Sequence, residues 1–242
     1  MPLQSALDRD RVSERIRNAA IALFRARGYH GTAVRALAHA VRIEAASLYY
    51  HFPSKQNILF GIFERTMDDL LEGLRGAVEG RSSPEERLRE AVRFHVRFHT
   101  ERQDEAFVSH SELRSLTGPN LRRIIGKRDR YEAMFHGLLA AGVRAGVFEV
   151  ADIKLVTIAV LILCSGVADW FSEGSRLDAD AVADGYADMI LRLVRRTAGS
   201  GSAVGVLSAR RAMLGRARRE PGIPSRRPPV SRSRRAQPGA RP

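Results

Sequence analysis

From residue 11 to about residue 196, apolar side chains recur three and four positions apart, and no useful length of chain alternates apolar with polar residues. Such spacing collects side chains on one face of a helix and scatters them over both faces of a strand. The expectation is an all-α protein. Its 242 residues, 44% of them hydrophobic, suffice for one core or two. The single cysteine, Cys164, lies in an apolar run, so no internal disulfide can form and a reducing, cytoplasmic setting is expected. The first twenty residues contain no apolar core of a secretory signal. The longest apolar run, Leu155 to Ala168, has 14 residues, short of the roughly 20 that span a bilayer. No membrane is expected as a partner.

The first helix carries Ile16, Ala19, Ala20, Leu23 and Phe24 on one face, with Gly28 after it as a C-cap. Thr32 is placed to cap a short second helix bearing Val34, Leu37, Ala38 and Val41. Arg42-Ile43-Glu44 leaves room only for a turn, and Ala45 to Phe52 makes a third helix with Leu48 and Phe52 facing inward. Pro53 stops that helix and Ser54 caps a fourth, whose apolar positions run from Ile58 to Leu74. Glycines 73, 76 and 80 and Pro84 should end it. Further helices are expected near 85–101, 104–115, 119–145, 152–171 and 178–196.

Two short helices joined by a three-residue turn, the second rich in exposed aromatics, form a helix-turn-helix, whose second helix enters the major groove of duplex DNA. Ala45, Ala46 and Ser47 let the backbone approach base edges; Tyr49, Tyr50, His51 and Lys55 are expected to meet phosphates. The plainer reading of the same rings is packing of the third helix onto the first and fourth. Charge is segmental: +5 over residues 1–66, −2 over 67–198 and +10 over 199–242, within a net charge of +13.

The run RNAAIALFRARGYHGTAVRALAHAVRIEAASLYYHFPSKQNIL, residues 17–59, closely resembles the DNA-binding domain of the tetracycline-repressor family. Its marks are Phe24, Gly28 and Tyr29; Thr32, Val34 and Arg35; and the stretch from Leu48 to Lys55. The resemblance implies an all-α homodimer with a C-terminal pocket for a small effector, which releases the protein from double-stranded operator DNA when filled. It places Thr32 and Arg35 with the helix 45–51 residues at the DNA. Two departures stand out. The family's turn usually holds Gly then Val-Ser, where this chain has Arg42, Ile43 and Glu44, so a strained turn is expected. The Lys/Arg-Gly that follows is here Ala45-Ala46, which shifts specificity from direct hydrogen bonds toward DNA shape.

Residues 85–196 resemble, more weakly, the ligand domain of family members that answer acyl-coenzyme A thioesters. A hydrophobic effector, acyl-coenzyme A among the possibilities, would be lined by Phe94, His95, Phe98, His99, Phe107, His110, Arg114, Phe135 and Trp170, with Met134 and Phe171 as further walls. Arg114, Arg122, Arg123, Lys127 and Arg128 could receive its phosphates, or be a solvated face. His95 and His99, one turn apart on an inward stripe, suit three uses: zinc with His110 as a third ligand, polar anchors in a pocket, or satisfied core histidines. No metal or cofactor is expected, nor is an enzyme, since no nucleophile–base–acid set or phosphate-cradling glycine loop is present.

The helix at 152–171 is apolar nearly all round, which burial against a second copy would explain. The segment 199–242, rich in Arg, Pro, Gly and Ser, reads as a disordered basic tail. Through it the chain could instead be a non-specific architectural DNA binder. The expected organisation is an arm (1–10), a helix-turn-helix domain (11–60), a helical effector and dimerisation domain (61–198) and the tail (199–242).

Overall fold

The computed structural model describes residues 2–174 and 176–195; the basic tail lies outside them. The described chain is all-α, with an isolated antiparallel bridge between Phe148 and Arg195 and no longer strand pairing. Its helices are α1 (Pro2–Gly31), α2 (Val34–Ala40), α3 (Ala45–His51), α4 (Lys55–Val78), α5 (Pro84–Glu101), α6 (Gln103–Ser111), α7 (Gly118–Arg144), α8 (Ile153–Ser165), α9 (Val167–Trp170) and α10 (Ala179–Val194). A 3₁₀ turn, Leu113–Ser115, follows α6.

α1 begins at Pro2, so the segment expected as an arm continues the first helix. Near its end Gly28 adopts φ 71, ψ 163, a conformation that a side chain would strain. Thr32 does not cap α2. It is 1% exposed, and its hydroxyl donates back to the carbonyl of Gly28 at 2.8 Å, leaving Ala33 as the N-cap without a side-chain bond.

α2 closes in a Schellman turn: Ile43 N–H donates to the Ala38 carbonyl and Arg42 N–H to that of His39. That turn puts Arg42 in the left-handed region at φ 56, where the expected strain is found. Leu48 is fully buried at the centre of α3, while Phe52 is half-buried. Ser54 caps α4 as expected, accepting from the Asn57 N–H at 3.2 Å.

α4 runs through Gly73 and Gly76, which do not break it, to Val78. The Phe94 ring of α5 lies against Gly73, where a Cβ would come within 2.3 Å of it. The glycine thus serves helix–helix approach. The expected boundary at residue 60 falls inside this unbroken helix. α5 opens on a capping box, Ser83 and Glu86 bonding reciprocally, with Pro84 at the first turn. α5 packs along α10 through Arg89–Asp188 (2.7 Å), Arg93–Asp184 (2.9 Å) and Arg97–Asp180 (3.2 Å), a ladder repeating every four residues on each helix.

The single helix expected at 152–171 is divided at Gly166 into α8 and α9. Residues Ile153–Trp170 have mean hydropathy 1.9 over 18 residues, enough by length and composition to cross a bilayer, and only 28% of them are buried within this chain. Their inner side packs on α5 and α7. On the outer side Leu155 and Ile162 are 64% and 69% exposed, continuing to Trp170 and, on α10, Met189 and Leu193. This broad apolar face has no partner within the described chain.

Candidate functional site

Two places concentrate chemistry, one at the start of α4 and one along its middle. At the first, α3 projects Ala46, Ser47, Tyr49 and Tyr50 outward because Leu48 pins its opposite side. Arg35 of α2 is exposed beside them. Tyr50 is 70% exposed, and its hydroxyl accepts from Arg9 at 2.8 Å, with the guanidinium also over its ring. His51 is half-buried and shares a 3.2 Å hydrogen bond with Ser13. Ala45 is half-buried too.

Two expected contacts turn inward. Thr32 is committed to Gly28, as above. The Lys55 ammonium donates to the carbonyls of Tyr29 (2.8 Å) and Thr32 (2.9 Å) and sits over the Tyr29 ring, so it closes the end of α1 onto α4. Its charge serves carbonyls at the end of α1, where that of Tyr29 also accepts from the Thr32 N–H at 3.3 Å. Arg9 and Arg42 join this surface without having been singled out; their signal was weak, a basic residue far upstream and a basic residue in the turn itself.

Beside the middle of α4 lies a cavity of about 270 Å³ bounded by α4 to α8. Phe63, Thr66, Met67 and Leu70 of α4 form one wall; His95, Phe98 and His99 of α5, Ser109 and His110 of α6, Arg128, Tyr131 and Glu132 of α7, and Ile158, Leu161, Ile162 and Ser165 of α8 form the rest. Four of the nine expected lining residues are there: His95, Phe98, His99 and His110. The other five are elsewhere. Phe94 packs on Gly73, Phe107 lies under the Arg25 guanidinium, and Arg114 sits in the 3₁₀ turn. Phe135 is fully buried behind His95, its ring 5.8 Å away, and Trp170 is exposed and stacked on Tyr186. Phe94, Phe107 and Phe135 are on helices that bound the cavity but face away from it, whereas Arg114 and Trp170 lie outside those helices.

His95 is held on both nitrogens, Nδ1 by the Tyr131 hydroxyl at 2.9 Å and Nε2 by the Ser165 hydroxyl at 3.0 Å. His99 Nδ1 donates to the His95 carbonyl at 2.8 Å. The rings of His95, His99 and His110 are layered, with centroids 4.2 and 5.7 Å apart. Ligands to zinc point their nitrogens at one centre, whereas these face hydrogen-bond partners and lie ring over ring. Among the described residues no group of three or more His, Cys, Asp or Glu is arranged to hold a metal.

Burial holds all three rings neutral. Desolvation pushes His95 well below the ordinary value, with His99 and His110 adding to the effect. It carries His99 down to about 4 against the pull of the His95 carbonyl. His110 is lowered by burial and by the charge of Arg128. Burial raises the Tyr131 phenol, so it too stays neutral.

Two of the five residues of the expected phosphate-binding cluster are held in internal pairs, Arg123 with Glu64 at 2.7 Å and buried Lys127 with Asp68. Arg128 differs. It lines the cavity, and burial lowers its pKa with only neighbouring Asp129 opposing that shift. Residues that sequence reasoning left out of the lining are Tyr131, Ser109 and Ser165, lone polar groups on otherwise ordinary helices.

Comparison with known proteins agrees with this division. Residues 16–62 match the model described as "Bacterial regulatory proteins, tetR family", and residues 81–194 the one described as "Tetracyclin repressor-like, C-terminal domain". The transcriptional regulator PfmR from Thermus thermophilus is similar in structure, with a TM-score of 0.69 and 34% identity over 74% of this chain and 97% of that one. AibR, crystallised with isovaleryl coenzyme A and operator DNA, has a TM-score of 0.68 and 27% identity over 74% of this chain and 97% of its own. The transcriptional repressor KstR2 of Mycobacterium tuberculosis is 28% identical over 180 residues, 71% of this chain and 87% of the relative.

Proposed function

Because the chain belongs to the tetracycline-repressor family of transcriptional regulators, we propose that it represses transcription in the cytoplasm as a homodimer. The dimer sits on a palindromic operator and leaves it when a small hydrophobic effector fills the cavity at α4 to α8. The observation that carries this reading is the placement of α4, one unbroken helix whose first turn is bonded to the end of α1 and whose later turns wall the cavity.

Arg35, Ala45, Ala46, Ser47, Tyr49, Tyr50 and His51 supply the DNA face, joined by Arg9 and Arg42. Thr32 and Lys55 act indirectly, by fixing the entry to α2 and α4. The exposed apolar face of α8 and α10 takes a second copy. Two-fold symmetry then sets the recognition helices about 34–36 Å apart, one helical turn of DNA. To shift the dimer from 1:99 to 99:1 between its DNA-binding and released forms, the effector needs about 5.5 kcal/mol of differential affinity.

His95, Phe98, His99 and His110 receive the effector. An acyl-coenzyme A thioester suits an apolar cavity edged by Arg128, and AibR was crystallised with such a ligand. The alternative, an architectural protein working through the tail, falls on residues outside those described.

The test is selection of bound duplexes from a random library, with the full chain and with residues 199–242 deleted, followed by titration with acyl-coenzyme A thioesters. A palindromic footprint that survives the deletion and is lost on titration is expected; indifference to sequence at physiological ionic strength sinks the reading. Ile162→Glu should convert a dimer to a monomer in sedimentation, and an unchanged profile would remove the assigned interface.

A further inference from the structure

The cavity carries a polar signature that a plain hydrocarbon chain leaves unanswered. The His95 carbonyl can only accept, so the proton of neutral His99 is on Nδ1, and Nε2 is left as an acceptor. His99 lines the cavity, and among the described residues Nε2 has no hydrogen bond, so this acceptor is open to whatever fills the cavity. Ser109, 9% exposed, lines the same cavity, and its buried hydroxyl has no hydrogen-bond partner. Two neighbouring polar groups are met within the protein: His95 is held by Tyr131 and Ser165, and the Thr66 hydroxyl donates to the Ile62 carbonyl at 2.9 Å.

A buried hydroxyl left unmet costs about 1–3 kcal/mol, so a cavity that keeps it together with an open imidazole acceptor is shaped for a ligand that meets both. We propose that the effector is a hydroxylated apolar molecule, whose hydroxyl enters the cavity to donate to His99 Nε2 and pair with Ser109. A hydroxyl fits because it donates and accepts at one atom. A carbonyl or a thioester oxygen cannot serve His99, because both partners would be acceptors. Burial keeps His99 neutral down to about 4, so Nε2 remains an acceptor at neutral pH. Specificity follows from asymmetry. A ligand lacking the hydroxyl leaves the two groups dry and unpaired, whereas the hydroxylated one restores what it lost on leaving water.

This inference rests on the cavity being the effector site, and the experiment separates the two ideas. The full-length protein is titrated calorimetrically with decanoic acid and with a series of monohydroxydecanoic acids differing in hydroxyl position. The best hydroxylated acid is expected to bind at least tenfold more tightly than decanoic acid. In Ser109→Ala and in His99→Phe the ratio of the two affinities should fall severalfold, with circular dichroism and thermal melting showing that the variants are folded. On ¹⁵N-labelled protein the His99 Nε2 resonance should shift upfield with the hydroxylated ligand alone. Equal affinity across the series with decanoic acid bound would mean that water serves the two groups, overturning the inference and leaving the cavity reading intact. Binding of none of the acids would overturn both.

Discussion

The recognition end at the start of α4 and the cavity end, beside its middle turns, are built on opposite principles. The recognition end is assembled from contiguous sequence: α2 and α3 are seven residues each, and neither has a side-chain N-cap. Its order comes from a few buried anchors such as Leu48 and from Lys55 closing the α1 carbonyls. Its working side chains are exposed. The cavity end draws its residues from five helices and keeps its polar groups dry, neutral and layered. A surface that meets a charged polymer needs exposure and a fixed backbone, while a pocket for a small apolar molecule needs walls from many directions. Damage should therefore separate by end.

Leu48→Ala should have the largest effect. Removing a fully buried anchor costs about 3 kcal/mol by denaturant unfolding, and operator affinity should collapse while cavity ligands still bind to the folded fraction. Loss of both in parallel would mean that the ends do not fold separately.

Acid should act on the cavity end. The folded pKa of His99 is about 4 against an ordinary 6.5, so between those values the unfolded chain binds a proton that the folded one refuses. Stability is therefore full above about pH 6.5 and falls as pH drops toward 4, by on the order of 3 kcal/mol from this residue. His95 pushes the same way. The groups facing the His95–His99–His110 stack are Tyr131, Arg128 and Asp169. Unfolding at roughly pH 7 and pH 4.5 checks this, and a flat profile would contradict the burial of the stack.

Arg42→Gly should stabilise the recognition end by about 1 kcal/mol, since glycine adopts φ 56 without a Cβ penalty. A small rise in melting temperature with weakened operator binding would mean that the arginine is kept for DNA at a cost in stability. Smallest of all, Asp184→Asn breaks one rung of the α5–α10 ladder, where both partners are substantially exposed, and should cost less than about 1 kcal/mol. It should leave both ends unchanged.

Much of the architecture was legible before any coordinates. Apolar spacing placed the helices to within a few residues, and Ser54, Pro84 and the turn at 42–44 marked their ends. Gly73 misled because a glycine in a helix has two uses, stopping it or admitting a neighbour, and only the Phe94 ring tells them apart. The outward arc of α3 was readable for the same reason the helices were: its residues are neighbours in sequence, and one buried leucine, Leu48, sets their direction.

The cavity was half readable. Helical spacing put His95 and His99 on the inward side of α5, but it says nothing about which partner each nitrogen finds. It also could not tell that Phe135 lies behind the wall and Trp170 outside it. Sequence alone determined the helices, their order and the outward arc of α3, because these follow from local periodicity and steric rules within a few residues. The tertiary structure decided the fate of Lys55, the dryness of Ser109 and the layering of the three imidazoles. Those depend on the rotation of helices far apart in the chain, and hydrogen-bond satisfaction exists only once they pack.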